Sequence, residues 1–82
     1  MQTTSNIPAL IITILAAKLA LDPAEISIDS TLESLGADSL TLVDLALDLE
    51  KQLPVSIPEG VLDTTQTVAD AAVAVEGQAT AS

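Results

Sequence analysis

The middle of the chain, D38-S-L-T-L-V-D-L-A-L-D-L-E-K-Q-L53, contains neither glycine nor proline and repeats leucine throughout. Such a run, stopped by Pro54, predicts an α-helix. At about 100° per residue counted from Leu40, the side chains of Leu42, Leu45, Ala46, Leu49 and Leu53 share an arc of roughly 100°, the width of a core-facing stripe. Leu40, Val43 and Leu47 form a second stripe on nearly the opposite side, edged by Asp44 and Glu50. One core accounts for one stripe. Either the connection before this helix folds over the second stripe, or the stripe is a docking face whose apolar anchors are rimmed by carboxylates that meet basic residues on partners.

The rest of the chain arranges itself around that helix. Ile7, Leu10, Ile11, Ile14, Leu15 and Leu19 recur at helical spacing, with Ser5 or Asn6 as cap and Pro8 in the first turn. The apolar run from Ile7 to Leu21 is interrupted by Thr13 and Lys18 and is shorter than the ~20 residues a bilayer span needs. The leading MQTTSN has no basic region of the kind a signal peptide carries. A long connection opens at Asp22-Pro23 and closes at Gly36, with Ile26, Ile28, Leu32 and Leu35 to pin it to the core and one helical turn over residues 32–35. A short helix is expected from Pro58 to Leu62, with Pro at its first position. The last helix starts at Thr67, whose partner Asp70 stands three residues on, as in a capping box. The expectation is an all-α, small four-helix bundle: three longer helices, one short one and a long first loop. Residues 1–5 read as an N-terminal tail, 6–76 as the folded domain and 77–82 as a flexible C-terminal tail. The initial Met and these ends point to a free-standing chain.

What the chain lacks narrows its chemistry. Among its 82 residues there is no cysteine, histidine, phenylalanine, tyrosine or tryptophan. Disulfides, thiolate metal sites and His-based acid–base or nucleophilic catalysis are therefore unavailable. Two lysines against twelve acids give a net charge of −10, which repels nucleic acid. Disorder would need low hydrophobicity, yet 49% of residues are apolar and the mean hydropathy is +0.54. The chain reads as a folded, monomeric, cytoplasmic, acidic protein that meets basic protein partners, holds no metal and is not itself an enzyme.

Ser39 follows Asp38 at the start of the central helix. Either can be the N-cap. Without a base, Ser39 is a poor nucleophilic catalyst, but a helix N-terminus stabilises an anion, so the position suits a phosphate-linked group.

At these residues the chain resembles a known family. L35-G-A-D-S-L40 at the head of a leucine-rich acidic helix is similar to the attachment motif of acyl carrier proteins, the phosphopantetheine-binding carriers, in their discrete type II form. The likeness runs from the first helix through I57-P-E to T67-V-A-D, and the family's four-helix bundle with a long first loop agrees with the layout above. The resemblance implies that Ser39 carries 4′-phosphopantetheine through a phosphodiester, added from coenzyme A by a phosphopantetheinyl transferase. The arm then supplies the thiol that the chain lacks, and acyl groups ride on it as thioesters.

By the same resemblance, Asp38 is the motif aspartate that helps position Mg²⁺ and the transferase during loading. Leu40, Val43, Asp44, Leu47 and Glu50 match positions used to dock enzymes, and they are the five residues of the second stripe. The implied partners are the transferase and then a ketosynthase, acyltransferase or other acyl-thioester enzyme with a basic docking patch. The implied role is in fatty-acid or polyketide-type synthesis. The alternatives are a peptidyl or aminoacyl carrier of a nonribosomal pathway, or a non-acylated interaction subunit with the same fold. Lys51 and Gln52 stand where acids are usual in fatty-acid carriers, Thr41 replaces the acid after the motif leucine, and Leu53 stands where an aromatic is common. In the family the acyl chain can fold back between helices. Leu42, Ala46, Ile57, Leu62 and Ala71 are the candidates to line such a space, against the alternative of an ordinary packed core.

Overall fold

The computed structural model describes residues 7–58 and 60–78. Three α-helices, α1 (Ile7–Leu19), α2 (Ser39–Gln52) and α3 (Val68–Glu76), are joined by connections that carry 3₁₀ turns at Pro23–Glu25 and Glu33–Leu35. The expected caps Ser5 and Asn6, and most of the expected C-terminal tail, lie outside the described residues. α1 is the helix against which both α2 and α3 pack. Its stripe buries Ile7, Ile11, Ile14 and Leu15. Leu45 and Leu49 from α2, Val68 and Val75 from α3, and Leu32 from the first connection complete the fully enclosed aliphatic centre. Lys18 adds an ion pair with Asp48 across α1 and α2, Nζ to Oδ2 at 3.0 Å. No helix among the described residues is long and apolar enough to cross a membrane.

The first connection is ordered by backbone pairing as well as by burial. Leu32 N–H donates to the Gln66 carbonyl at 2.9 Å and Glu33 N–H to that of Thr64 at 2.9 Å. Running the other way, Val68 and Ala69 N–H donate to the carbonyls of Ser30 and Ile28, each at 3.0 Å. These last two donors are the first amides of α3, which have no partner inside their own helix. The next one, Asp70 N–H, donates to Thr67 Oγ1 at 3.0 Å, completing the capping box read from the sequence. The connection thus caps α3 while Ile26 and Leu32 anchor it in the core. Ile28 departs from expectation: its carbonyl is used, but its side chain is about half exposed, at 49%.

The expected short helix from Pro58 to Leu62 is not formed among the described residues. Gly60 takes the left-handed φ of +96°, which interrupts helical geometry. A single turn remains, closed by Val61 N–H donating to the Pro58 carbonyl at 3.3 Å. A proline at the first position starts a helix only if the following residues continue it, and a glycine two residues on does not favour that.

Two helix ends generate predictions. α1 ends on Ala20 at φ +57°, and Leu21 N–H then reaches back to the Ala16 carbonyl at 2.9 Å, a left-handed termination normally given to glycine. Relief of the Cβ conflict means that Ala20→Gly raises unfolding stability by about 1 kcal/mol, measured in urea, against the usual penalty for introducing glycine. α2 starts on Asp38, whose Oδ1 accepts from both the N–H and the Oγ1 hydroxyl of Thr41, each at 2.9 Å. These bonds, the backbone one foremost, hold the Asp38 carboxyl below its ordinary 3.8. A lowered native value contributes stability that is complete above the ordinary value and is lost as pH falls through the lowered one. Stability followed from pH 5 downward, to about pH 2, will therefore fall more steeply for the wild type than for Asp38→Asn.

Candidate functional site

The rotation of α2 about its axis decides which residues are available. With Leu42, Leu45 and Leu49 buried, Leu40 stands 72% exposed, and Val43 and Leu47 about half exposed. The first connection does not fold over this second stripe: its buried side chains, Ile26 and Leu32, point into the core instead. Asp44 is exposed beside the stripe, and Glu50 is half-buried.

Ser39 is the first residue of α2, directly after the Asp38 cap, and is exposed. Asp38, not Ser39, closes the helix end, so the Ser39 hydroxyl is not needed as the cap. Gly36 at φ +97° ends the preceding 3₁₀ turn and lets the chain reverse into the helix. Ala37 N–H then bonds back to the Leu32 carbonyl at 3.1 Å, so the approach to Ser39 is tied to a fully buried leucine. A phosphate ester on Ser39 would sit at the positive end of the helix dipole, where the early amides of α2 point.

A cleft of about 600 Å³ runs from Ser39 along α2 and is bounded on the far side by the segment leading to α3. Leu42, Val43, Ala46, Leu47 and Glu50 line it from the helix, and Ile57, Pro58, Gly60 and Leu62 from the opposite wall. Four of the five residues expected to line an acyl space, Leu42, Ala46, Ile57 and Leu62, are brought together here. Ala71 is not; it is fully buried in the core and does not reach the cleft. Val43 and Leu47, which the helical wheel places on the second stripe, also line it, so the exposed stripe and the cleft share an edge.

Two features escaped the sequence reading. Glu50 Oε2 accepts a hydrogen bond from Ile57 N–H at 2.6 Å, bridging seven residues across the end of α2. No periodicity announces a bond of that kind. The Thr41 hydroxyl on Asp38 was more accessible, because a cap followed three residues on by a hydroxyl side chain is a recognisable local pattern. Among the described residues no cluster of three or more acidic, His or Cys side chains is arranged to hold a metal. With neither His nor Cys in the chain, the exposed Ser39 has no imidazole or thiolate beside it to activate its hydroxyl.

Comparison with known proteins agrees with this geometry. Residues 9–75 match the family model described as a phosphopantetheine attachment site. The chain is 38% identical over 65 residues to an acyl carrier protein of Amoebophilus asiaticus, covering 78% of this chain and 81% of that one. It is 41% identical over 58 residues to an acyl carrier protein of Clostridium perfringens, covering 70% and 76% of the two chains. An acyl carrier protein of Thermotoga maritima is 38% identical over 58 residues, covering 70% and 72%. An exposed serine at a helix N-terminus, an apolar cleft beside it and a family match that spans both lead to one assignment: the chain belongs to the phosphopantetheine-binding acyl carrier protein family.

Proposed function

We propose that this chain carries acyl groups as thioesters on a 4′-phosphopantetheine arm joined by a phosphodiester to Ser39 Oγ, and presents them to the enzymes of acyl-chain synthesis. The observation that carries this reading is the placement of the exposed Ser39 at the N-terminus of α2 and at one end of an apolar cleft, inside the region of the family match. The arm supplies the thiol. The protein's own residues do the rest: α2 offers its positive end to the phosphodiester, Asp38 and Thr41 hold that end in register, and Leu42, Ala46, Ile57 and Leu62 offer an apolar surface to the cargo. The chain is a carrier with no catalytic activity of its own.

Leu40, Val43, Asp44, Leu47 and Glu50 are the proposed docking face. The exposed leucines and valine act as anchors, Asp44 as the open charge and Glu50 as a rim residue already engaged with Ile57. The partners that fit are a phosphopantetheinyl transferase and acyl-thioester enzymes such as a ketosynthase or acyltransferase, each approaching with a basic patch. The net charge of −10 would steer them at low salt.

Incubation with coenzyme A, Mg²⁺ and a broad-specificity transferase will add about 340 Da to the chain, as expected for a covalent arm, and nothing to Ser39→Ala. No gain on the wild type, or an equal gain on the variant, would sink the assignment. For the docking face, Asp44→Lys is expected to weaken binding of a ketosynthase about tenfold at low salt, with a smaller effect at high salt, while helical content is unchanged. Unchanged binding would put the interface elsewhere.

A further inference from the structure

The acids of α2 and of its cap have separate positions and separate work. Asp38 closes the helix start, Asp48 pairs with Lys18, and Asp44 stands exposed. Glu50 is the one that faces the cleft, half-buried, with Oε2 accepting from Ile57 N–H at 2.6 Å. A carboxylate on an apolar lining is costly unless it is bonded, and a charge-assisted bond to a backbone amide is among the stronger ones available. The donor is informative too. α2 ends at Gln52 before Pro54, and Val55 N–H closes a tight turn on the Leu53 carbonyl at 2.8 Å. The chain then returns along the helix to Ile57, whose buried side chain forms the opposite wall of the cleft.

We infer that Glu50 is a positioning residue for the carried chain: its carboxylate latches the returning segment to α2 and so sets how closely the cleft encloses an apolar cargo attached at Ser39. This rests on the cleft being the cargo site. The latch acts on long apolar chains that enter the cleft and leaves short ones, which do not reach the Ile57 wall, unaffected. Removal of the carboxylate frees the Ile57 amide and the wall behind it without disturbing α1, because the helix rotation is held by Leu45 and Leu49, not by Glu50.

The test uses the wild type, Glu50→Gln and Glu50→Ala, each loaded at Ser39 with an octanoyl or an acetyl arm. Hydrogen exchange is read at the Ile57 amide and across α1, and thioester cleavage is followed with hydroxylamine. In the wild type the octanoyl thioester should be cleaved more slowly than the acetyl one. Glu50→Ala should speed both Ile57 exchange and octanoyl cleavage by about tenfold, as expected for loss of a bond to a charged acceptor, with acetyl cleavage and α1 exchange unchanged. Glu50→Gln, whose amide oxygen still accepts, should recover most of the protection. If the wild type cleaves octanoyl as fast as acetyl, the cleft reading fails and this inference falls with it. If octanoyl protection exists but survives Glu50→Ala, or if α1 exchange rises along with that of Ile57, the latch alone is overturned.

Discussion

Burial of Leu42, Leu45 and Leu49 in the aliphatic core locks the rotation of α2, and the site depends on that rotation. At about 100° per residue, a helix that commits those three positions inward has no choice about where the others go. Leu40, Val43 and Leu47 must face out, and the first residue of the helix, Ser39, must sit at the edge of the space beneath them. A slip of one residue, about 100° of rotation, would carry Leu42, Leu45 and Leu49 away from the core centre. The core therefore orients Ser39, the apolar lining and the exposed stripe together.

The composition now has a physical rationale. A chain without Cys or His offers no thiol or imidazole of its own, and the phosphopantetheine arm of the family supplies a thiol. On the proposed function, what the chain provides is a helix N-terminus that tolerates a phosphodiester and a surface that tolerates an apolar cargo. The dipole and cap of α2 serve the first need and the cleft suits the second. The lack of aromatics leaves a core of Leu, Ile, Val and Ala, which fills around α1 with branched aliphatic side chains alone. The acids at and along α2 differ in their work: Asp38 caps the helix, Asp48 pairs with Lys18, Glu50 accepts from Ile57 and Asp44 is left open beside the stripe.

Features set by local pattern were legible in the sequence. The two faces of α2 follow from spacing, and the Thr67/Asp70 capping box from residue type three apart. Gly36 and Pro54 marked real boundaries. Features set by contacts between distant segments were not legible. The pairing of residues 28–33 with 64–69, which caps α3, joins stretches that carry no matching pattern. The same pairing uses the Ile28 backbone and leaves its side chain half exposed, against the expectation from hydropathy. The turn at Gly60 replaced a helix because one positive φ outweighed a favourable proline. Ala71, a candidate for the acyl lining by family resemblance, is fully buried by α3 and stands apart from the residues that line the cleft.

On the proposed function α2 joins attachment and cargo binding in one element, so a chain carried on Ser39 lies along the cleft of the same molecule. The most direct measurement is a nuclear Overhauser experiment on the protein loaded with a ¹³C-labelled octanoyl arm. Contacts from the octanoyl methylenes to the side chains of Leu42, Ala46 and Leu62, absent with an acetyl arm, are the predicted result. An octanoyl chain that shows no contact with those residues, and moves as freely as it does on an isolated arm in solvent, would contradict the account.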